Sequence, residues 1–223
     1  MKCCCTPNGL DRFFDDATAR GEVESYWENG IDKQARLVVN ALTAQGVSGA
    51  SVLEVGSGVG GLHLELLKSG AARATSVDLS PAYVAAAKEV AAKLGLQDAV
   101  NHHLLDFARQ ADEVAEADVV VMHRVICCYP DMRELVGAAA NHASRLLALT
   151  FPRDMWWMRL GGRLLNLWMA LTRSAFRFYL HPPAEIVATA EGGGLTAVFE
   201  KLSGPWQIVV FRRAANRSAN HRE

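Results

Sequence analysis

The feature that most constrains this chain is an eight-residue run, Glu54-Val55-Gly56-Ser57-Gly58-Val59-Gly60-Gly61, set between a short apolar segment and an amphipathic one. Glycines are needed where the backbone turns tightly and a ligand approaches closely, because a side chain would clash there. The preceding Ser51-Val52-Leu53-Glu54-Val55 reads as a fully buried strand, and Leu62 to Ser69, closed by Gly70, reads as a helix. Ala74 to Asp78 is a second strand, so a carboxylate stands about twenty residues beyond the glycines. At that place it can accept both hydroxyls of a ribose. Strand, glycine turn, helix, strand and acid in this order point to an adenosine-bearing ligand. The bland alternative is a tight turn that binds nothing.

The same alternation runs on. Ser80 and Pro81 predict a capped helix to Leu94, stopped at Gly95. Val100 to Leu105 predicts a third strand ending on Asp106, and Asp118 to Met122 a fourth ending on His123. Pro130-Asp131 opens a helix through about Ser144, and Arg145 to Phe151 makes a fifth strand stopped by Pro152. Strands alternating with helices predict a parallel sheet covered on both faces. Leu195 to Lys201 and Trp206 to Arg212, joined through Ser203-Gly204-Pro205, read instead as a hairpin. Upstream, Tyr26, Ile31, Ala35, Val38, Val39 and Leu42 share one face of a single helix over Glu22 to Gln45. Residues 1–21 are expected to be a flexible N-terminal segment, 22–213 one domain, and 214–223 a disordered tail.

At 223 residues the chain suits one sizeable α/β domain. Its formal net charge of −1 gives no electrostatic reason to expect nucleic acid as a partner. No charged and then apolar leader opens the sequence, and arginines interrupt its longest apolar stretches, so a cytoplasmic protein is expected. The five cysteines fall as Cys3-Cys4-Cys5 and Cys127-Cys128. That clustering fits neither a disulfide framework nor the ligand spacing of a zinc site, so no metal is expected.

An α/β chain that ends in a hairpin resembles the class I S-adenosylmethionine-dependent methyltransferases: a Rossmann-like, seven-stranded, mostly parallel sheet whose last strand is antiparallel. Glu54, two residues before the first glycine, and Asp106-Phe107 after the third strand match that family. The resemblance implies S-adenosylmethionine as cofactor. Glu54, Gly56, Ser57, Gly58 and Gly60 would lie along its methionine and ribose part. Asp78 with Leu79 would hold the ribose, Asp106 and Phe107 would border the adenine, and His123 would face the methionyl group. A nicotinamide dinucleotide is the rival cofactor, since Gly56, Gly58 and Gly61 also satisfy its fingerprint.

Within that family the chain is similar to the magnesium-protoporphyrin O-methyltransferase-like group. The likeness rests on Tyr26-Trp27-Glu28-Asn29-Gly30-Ile31-Asp32, on Arg124 through Asp131, and on Phe151-Pro152-Arg153-Asp154. It implies a cover helix over 22–46, a lid-like apolar insertion over 152–183 and methylation of a small-molecule acceptor, a large aromatic or carboxylate-bearing compound. The insertion interleaves tryptophans and leucines with Arg153, Arg159, Arg163, Arg173 and Arg177. Three readings stand side by side: a lid, a helix pair closing the core, and a peripheral membrane contact. The activated methyl requires alignment and exclusion of water more than a base. Tyr26, His123 and His181 are the candidate catalytic groups for acceptors that must lose a proton. A non-catalytic protein that binds the cofactor is the remaining alternative, and the oligomeric state is not encoded in any motif.

Overall fold

The computed structural model describes residues 14–174 and 176–214. Its strands are β1 (Ser51–Val55), β2 (Arg73–Asp78), β3 (Val100–Leu104), β4 (Ala117–His123), β5 (Ala143–Pro152), β6 (Leu195–Ser203) and β7 (Trp206–Arg213). Its helices are α1 (Asp16–Asn29), α2 (Lys33–Ala44), α3 (Gly61–Lys68), α4 (Pro81–Lys93), α5 (Phe107–Gln110), α6 (Met132–His142), α7 (Trp156–Leu171) and α8 (Pro183–Gly192). The strands form one sheet in the order β3-β2-β1-β4-β5-β7-β6. All neighbours from β3 to β5 pair in parallel, and β7 runs antiparallel to both β5 and β6. This is the seven-stranded arrangement expected from the alternation and the final hairpin.

Both faces of the central strands are buried, as parallel strands require. Along β4, Val119 and Val121 pack on one side with Val38 and Leu42 of α2, while Val120 and Met122 pack on the other with Leu135 and Val136 of α6. That alternation is the two-residue period of a strand. Phe151 and Phe211 are fully buried on the α6 side. Each such side chain contributes roughly 1.5–3 kcal/mol through the area it removes from water.

The structure corrects three expectations. The single helix predicted over Glu22 to Gln45 is two helices. Gly30, at φ 70°, ends α1, and the Asp32 carboxylate caps α2 by accepting from the N–H groups of Gln34 and Ala35. Second, order begins before residue 22: Asp15 caps α1, its carboxylate accepting from Thr18 N–H at 2.9 Å. The expectations for residues 1–13, including Cys3 to Cys5, and for residues 215–223 lie outside the described residues. Third, the insertion holds one helix, α7, and not a pair closing the core. Of the residues of α7 only Met169 is buried.

Candidate active site

The strand order reverses between β1 and β4, which lie side by side while their crossovers lead in opposite directions. In open α/β sheets the crevice beyond the carboxyl ends of the strands at such a point is where ligands bind. A cavity of about 730 Å³ opens there, within the size range of small-ligand sites. Residues at the ends of four strands line it: Gly56 after β1, Asp78 in β2, Asp106 beyond β3 and His123 in β4.

The glycine turn is shaped by close approach. Gly56 sits at φ 67°, and a Cβ there would lie 2.5 Å from Cγ2 of Val125. The turn after β1 and the loop after β4 therefore interlock only without a side chain. Gly60 does not line the cavity. It is the residue preceding α3, and its own Cβ would meet the His63 ring at 2.6 Å. That ring is fully buried, and Glu54 accepts from both its Nδ1 and the His63 backbone N–H, at 2.7 and 3.0 Å. Glu54 borders the cavity, yet its hydrogen bonds go to His63 and brace the turn from below. The Ser57 hydroxyl is 2.8 Å from that of Ser76.

Asp78 is tied at both oxygens: Oδ2 accepts from Gly58 N–H at 2.9 Å and Oδ1 from Ser80 N–H at 2.8 Å. Burial pushes its carboxyl up to about 6, against the pull of those N–H groups, and the nearby Glu54 charge adds to the rise. Leu79 lies beside it in the wall. On the third strand's side, Phe107 is buried edge-on to His142, and Asp106 accepts from the Tyr129 hydroxyl at 3.1 Å. Burial, and then the Asp106 charge, push the Tyr129 phenol well above its ordinary value, so it stays a donor.

The opposite wall is made by side chains. His123 directs Nε2 at Asp32 Oδ2, 3.4 Å away, and Nδ1 at the Thr150 hydroxyl, 3.1 Å away. Arg124 also reaches Asp32, at 3.2 Å, donates to Gln34 and lies over the Trp206 ring at 4.8 Å. Its backbone is held at φ 61°, a conformation that a non-glycine residue adopts only where its surroundings impose it. Burial works to raise the Asp32 carboxyl, but the His123 hydrogen bond, the Ala35 N–H and the His123 and Arg124 charges hold it well below the usual carboxylate range. An ionised Asp32 only accepts, so Nε2 of His123 carries the hydrogen and Nδ1 accepts from the Thr150 hydroxyl.

Two other sequence candidates stand differently. The Tyr26 ring lines the cavity, but its hydroxyl is engaged by Lys68 at 3.3 Å and Glu65 at 3.4 Å. Burial raises that phenol despite Lys68. His181 is not brought to the cavity. Its Nε2 donates to the Tyr129 carbonyl at 2.9 Å and its ring stacks on Tyr179, fastening the return from the insertion to the loop after β4. The residues that sequence reasoning left without a role are Asp32, Arg124 and Tyr129. Only Asp32 carried a local signal, as an acidic cap at a helix start.

Residues 53–146 match the family model described as a methyltransferase domain. A ribosomal protein L11 methyltransferase of Aeromonas hydrophila is 34% identical over 146 residues, 65% of this chain; the chain spans about half, 46%, of that relative's length. Among solved structures, magnesium protoporphyrin IX methyltransferase from Synechocystis PCC 6803 with bound S-adenosylhomocysteine superposes with a TM-score of 0.74 at 19% identity, covering 92% of this chain and 98% of that one. An O-methyltransferase family protein from Burkholderia thailandensis gives a TM-score of 0.69 at 20% identity, covering 95% and 64%. At such identities these structures establish the fold.

Residues 53–146 are thus similar to a methyltransferase domain, on the seven-stranded fold that the solved structures share. The cavity has a side-chain-free cradle at Gly56 and a carboxylate at the end of β2 facing the same space, which fit an adenosine-bearing cofactor.

Proposed function

We propose that this chain transfers a methyl group from S-adenosylmethionine to a small-molecule acceptor, a large aromatic or carboxylate-bearing compound methylated on oxygen. The observation that carries the reading is the convergence of Gly56, Asp78, Asp106 and His123, from four strand ends, on one cavity at the point where the strand order reverses. When bound, the cofactor supplies a methyl group already activated on a sulfonium.

In this reading the Gly56-Ser57-Gly58 backbone cradles the methionine and ribose portion. Asp78 accepts from the ribose hydroxyls, and Asp106 and Phe107 border the adenine. The Tyr26 ring closes the space from the side of α1 and helps exclude water. A carboxylate acceptor arrives ionised and needs no base. For a hydroxyl acceptor, His123, which lines the cavity, is the group that receives the proton, while Asp32 orients the ring and steadies the charge that forms. Arg124, anchored by Asp32 and Gln34, supplies positive charge to the same wall.

The test is calorimetric titration with S-adenosylhomocysteine, with NADH in parallel, followed by transfer of labelled methyl to a panel of aromatic acids and phenols. Binding of S-adenosylhomocysteine with methylation of a panel member is the expected result. Binding of NADH in its place overturns the reading. Cofactor binding with no transfer to any acceptor makes the chain a binding protein.

A further inference from the structure

The insertion helix turns its apolar side outward. In α7 the inner contacts are few: Met169 is buried, Asn166 exchanges hydrogen bonds with the Phe178 backbone, and Gly162 abuts the Phe178 ring. At about 100° per residue these three positions fall on one side of the helix. Trp156, Leu164, Leu167, Trp168 and Leu171 fall within roughly 120° on another side. They are 76, 58, 58, 58 and 76% exposed. Leu160 and Trp157 continue that face, at 50 and 47%. Contiguous apolar exposure of this kind marks a surface made to meet something other than water.

The charges around it indicate what. Residues 153–177 carry Arg153, Arg159, Arg163, Arg173 and Arg177 against one carboxylate, Asp154, which is already paired with Arg159. A second copy of the same face would set arginines against arginines. An anionic surface would meet Arg159 and Arg163, which are exposed on this helix, favourably. Arg159 and Arg163 sit on one flank of the apolar arc, where a helix lying in a lipid headgroup region keeps its cations, and tryptophans stand near both ends. The helix has 16 residues, and among the described residues no helix is long and apolar enough to cross a membrane. It suits lying on one.

We propose that α7 docks this protein on an anionic lipid surface and that the acceptor is an apolar compound taken up from that surface. The second clause rests on the methyltransferase reading above. It follows from what lies beneath the helix: Met169 and Phe176 pack on Phe14, Leu79 and Cys128, all three of which line the cavity. The inner side of the lipid-facing segment thus packs directly behind residues that line the site.

Flotation of the full chain with vesicles of phosphatidylcholine plus phosphatidylglycerol, and of phosphatidylcholine alone, tests the docking. Binding to the anionic vesicles, weakened by salt, with a blue shift of tryptophan fluorescence, is expected. The paired change Leu164→Glu and Trp168→Glu, at exposed positions, should lower vesicle affinity by roughly tenfold or more. Arg163→Gln should lower it about fivefold. S-adenosylhomocysteine binding, measured on the same proteins, should not change. Cofactor binding without association to either vesicle overturns the docking and leaves the methyltransferase reading intact. Vesicle binding without cofactor binding does the reverse. A dimer that Leu164→Glu with Trp168→Glu dissociates, with no vesicle binding, assigns the face to a second copy and overturns the proposal.

Discussion

The two walls of the cavity are held by different kinds of bond. The wall at the ends of β1 and β2 is largely backbone: a glycine turn whose N–H at Gly58 donates to Asp78, braced underneath by the buried Glu54–His63 pair. Its geometry follows from a segment of about 25 residues read in order. The wall at the end of β4 is side chain on side chain, with Asp32, His123, Arg124 and Thr150 brought together from three distant segments. A wall set by local backbone offers the same cradle to any chain with that turn. A wall assembled from long-range side-chain contacts depends on residues far apart in the chain, so under the proposed function cofactor choice belongs to the first wall and acceptor chemistry to the second.

That division breaks if changes in one wall act on the other's ligand. The largest expected effect is at His123. His123→Ala should reduce turnover of a hydroxyl acceptor by about 100-fold or more, leave turnover of a carboxylate acceptor nearly intact, and leave S-adenosylhomocysteine affinity unchanged in calorimetry. Equal losses for both acceptors would remove the base from the mechanism.

Asp78→Asn should do the opposite, weakening S-adenosylhomocysteine by about 10- to 100-fold through loss of charged hydrogen bonds. The pH dependence sharpens this. Burial raises the Asp78 carboxyl to about 6, so as pH falls through that value it takes up a proton and ceases to be an anionic acceptor. Cofactor affinity of the parent protein should therefore fall below about 6, and the Asp78→Asn protein should lack that fall. The empty protein responds with the other sign, because a carboxyl whose value is raised on folding favours the folded state at acid pH.

Gly56→Ala should lower S-adenosylhomocysteine affinity about tenfold and stability by roughly 1–3 kcal/mol, from strain at positive φ and the clash with Val125. Adding Val125→Ala should restore part of the loss in a thermal melt, since the clash goes while the strain remains. The smallest effect belongs to His181→Phe. It removes the bond to the Tyr129 carbonyl and should lower stability by about 1 kcal/mol, with turnover changed by less than about threefold. A large loss of turnover would return His181 to the chemistry.

Legibility followed the same line as the two walls. The centre of the sheet was readable because β1, β4 and β5 are short, largely apolar runs with a turn signal at their ends, and burial on both faces leaves such runs little else to be. β1, Ser51–Val55, appears with its expected limits, whereas β5 begins two residues earlier than the pattern suggested, directly where α6 ends. The break at Gly30 was missed because apolar spacing stays in phase across it, while a positive φ and a capping Asp32 decide the matter locally. Asp32 and His123 are 91 residues apart, and no periodicity links them.

What the sequence determined by itself is the α/β alternation and the glycine turn, since both are written in residues that are neighbours along the chain. What only the tertiary structure decided is the use made of the apolar stripe in α7. Leucines and tryptophans at helical spacing look the same whether they face a core or the outside. Only the position of the helix on the folded sheet, with Met169 turned inward and Trp156 and Leu171 outward, settles which surface they meet.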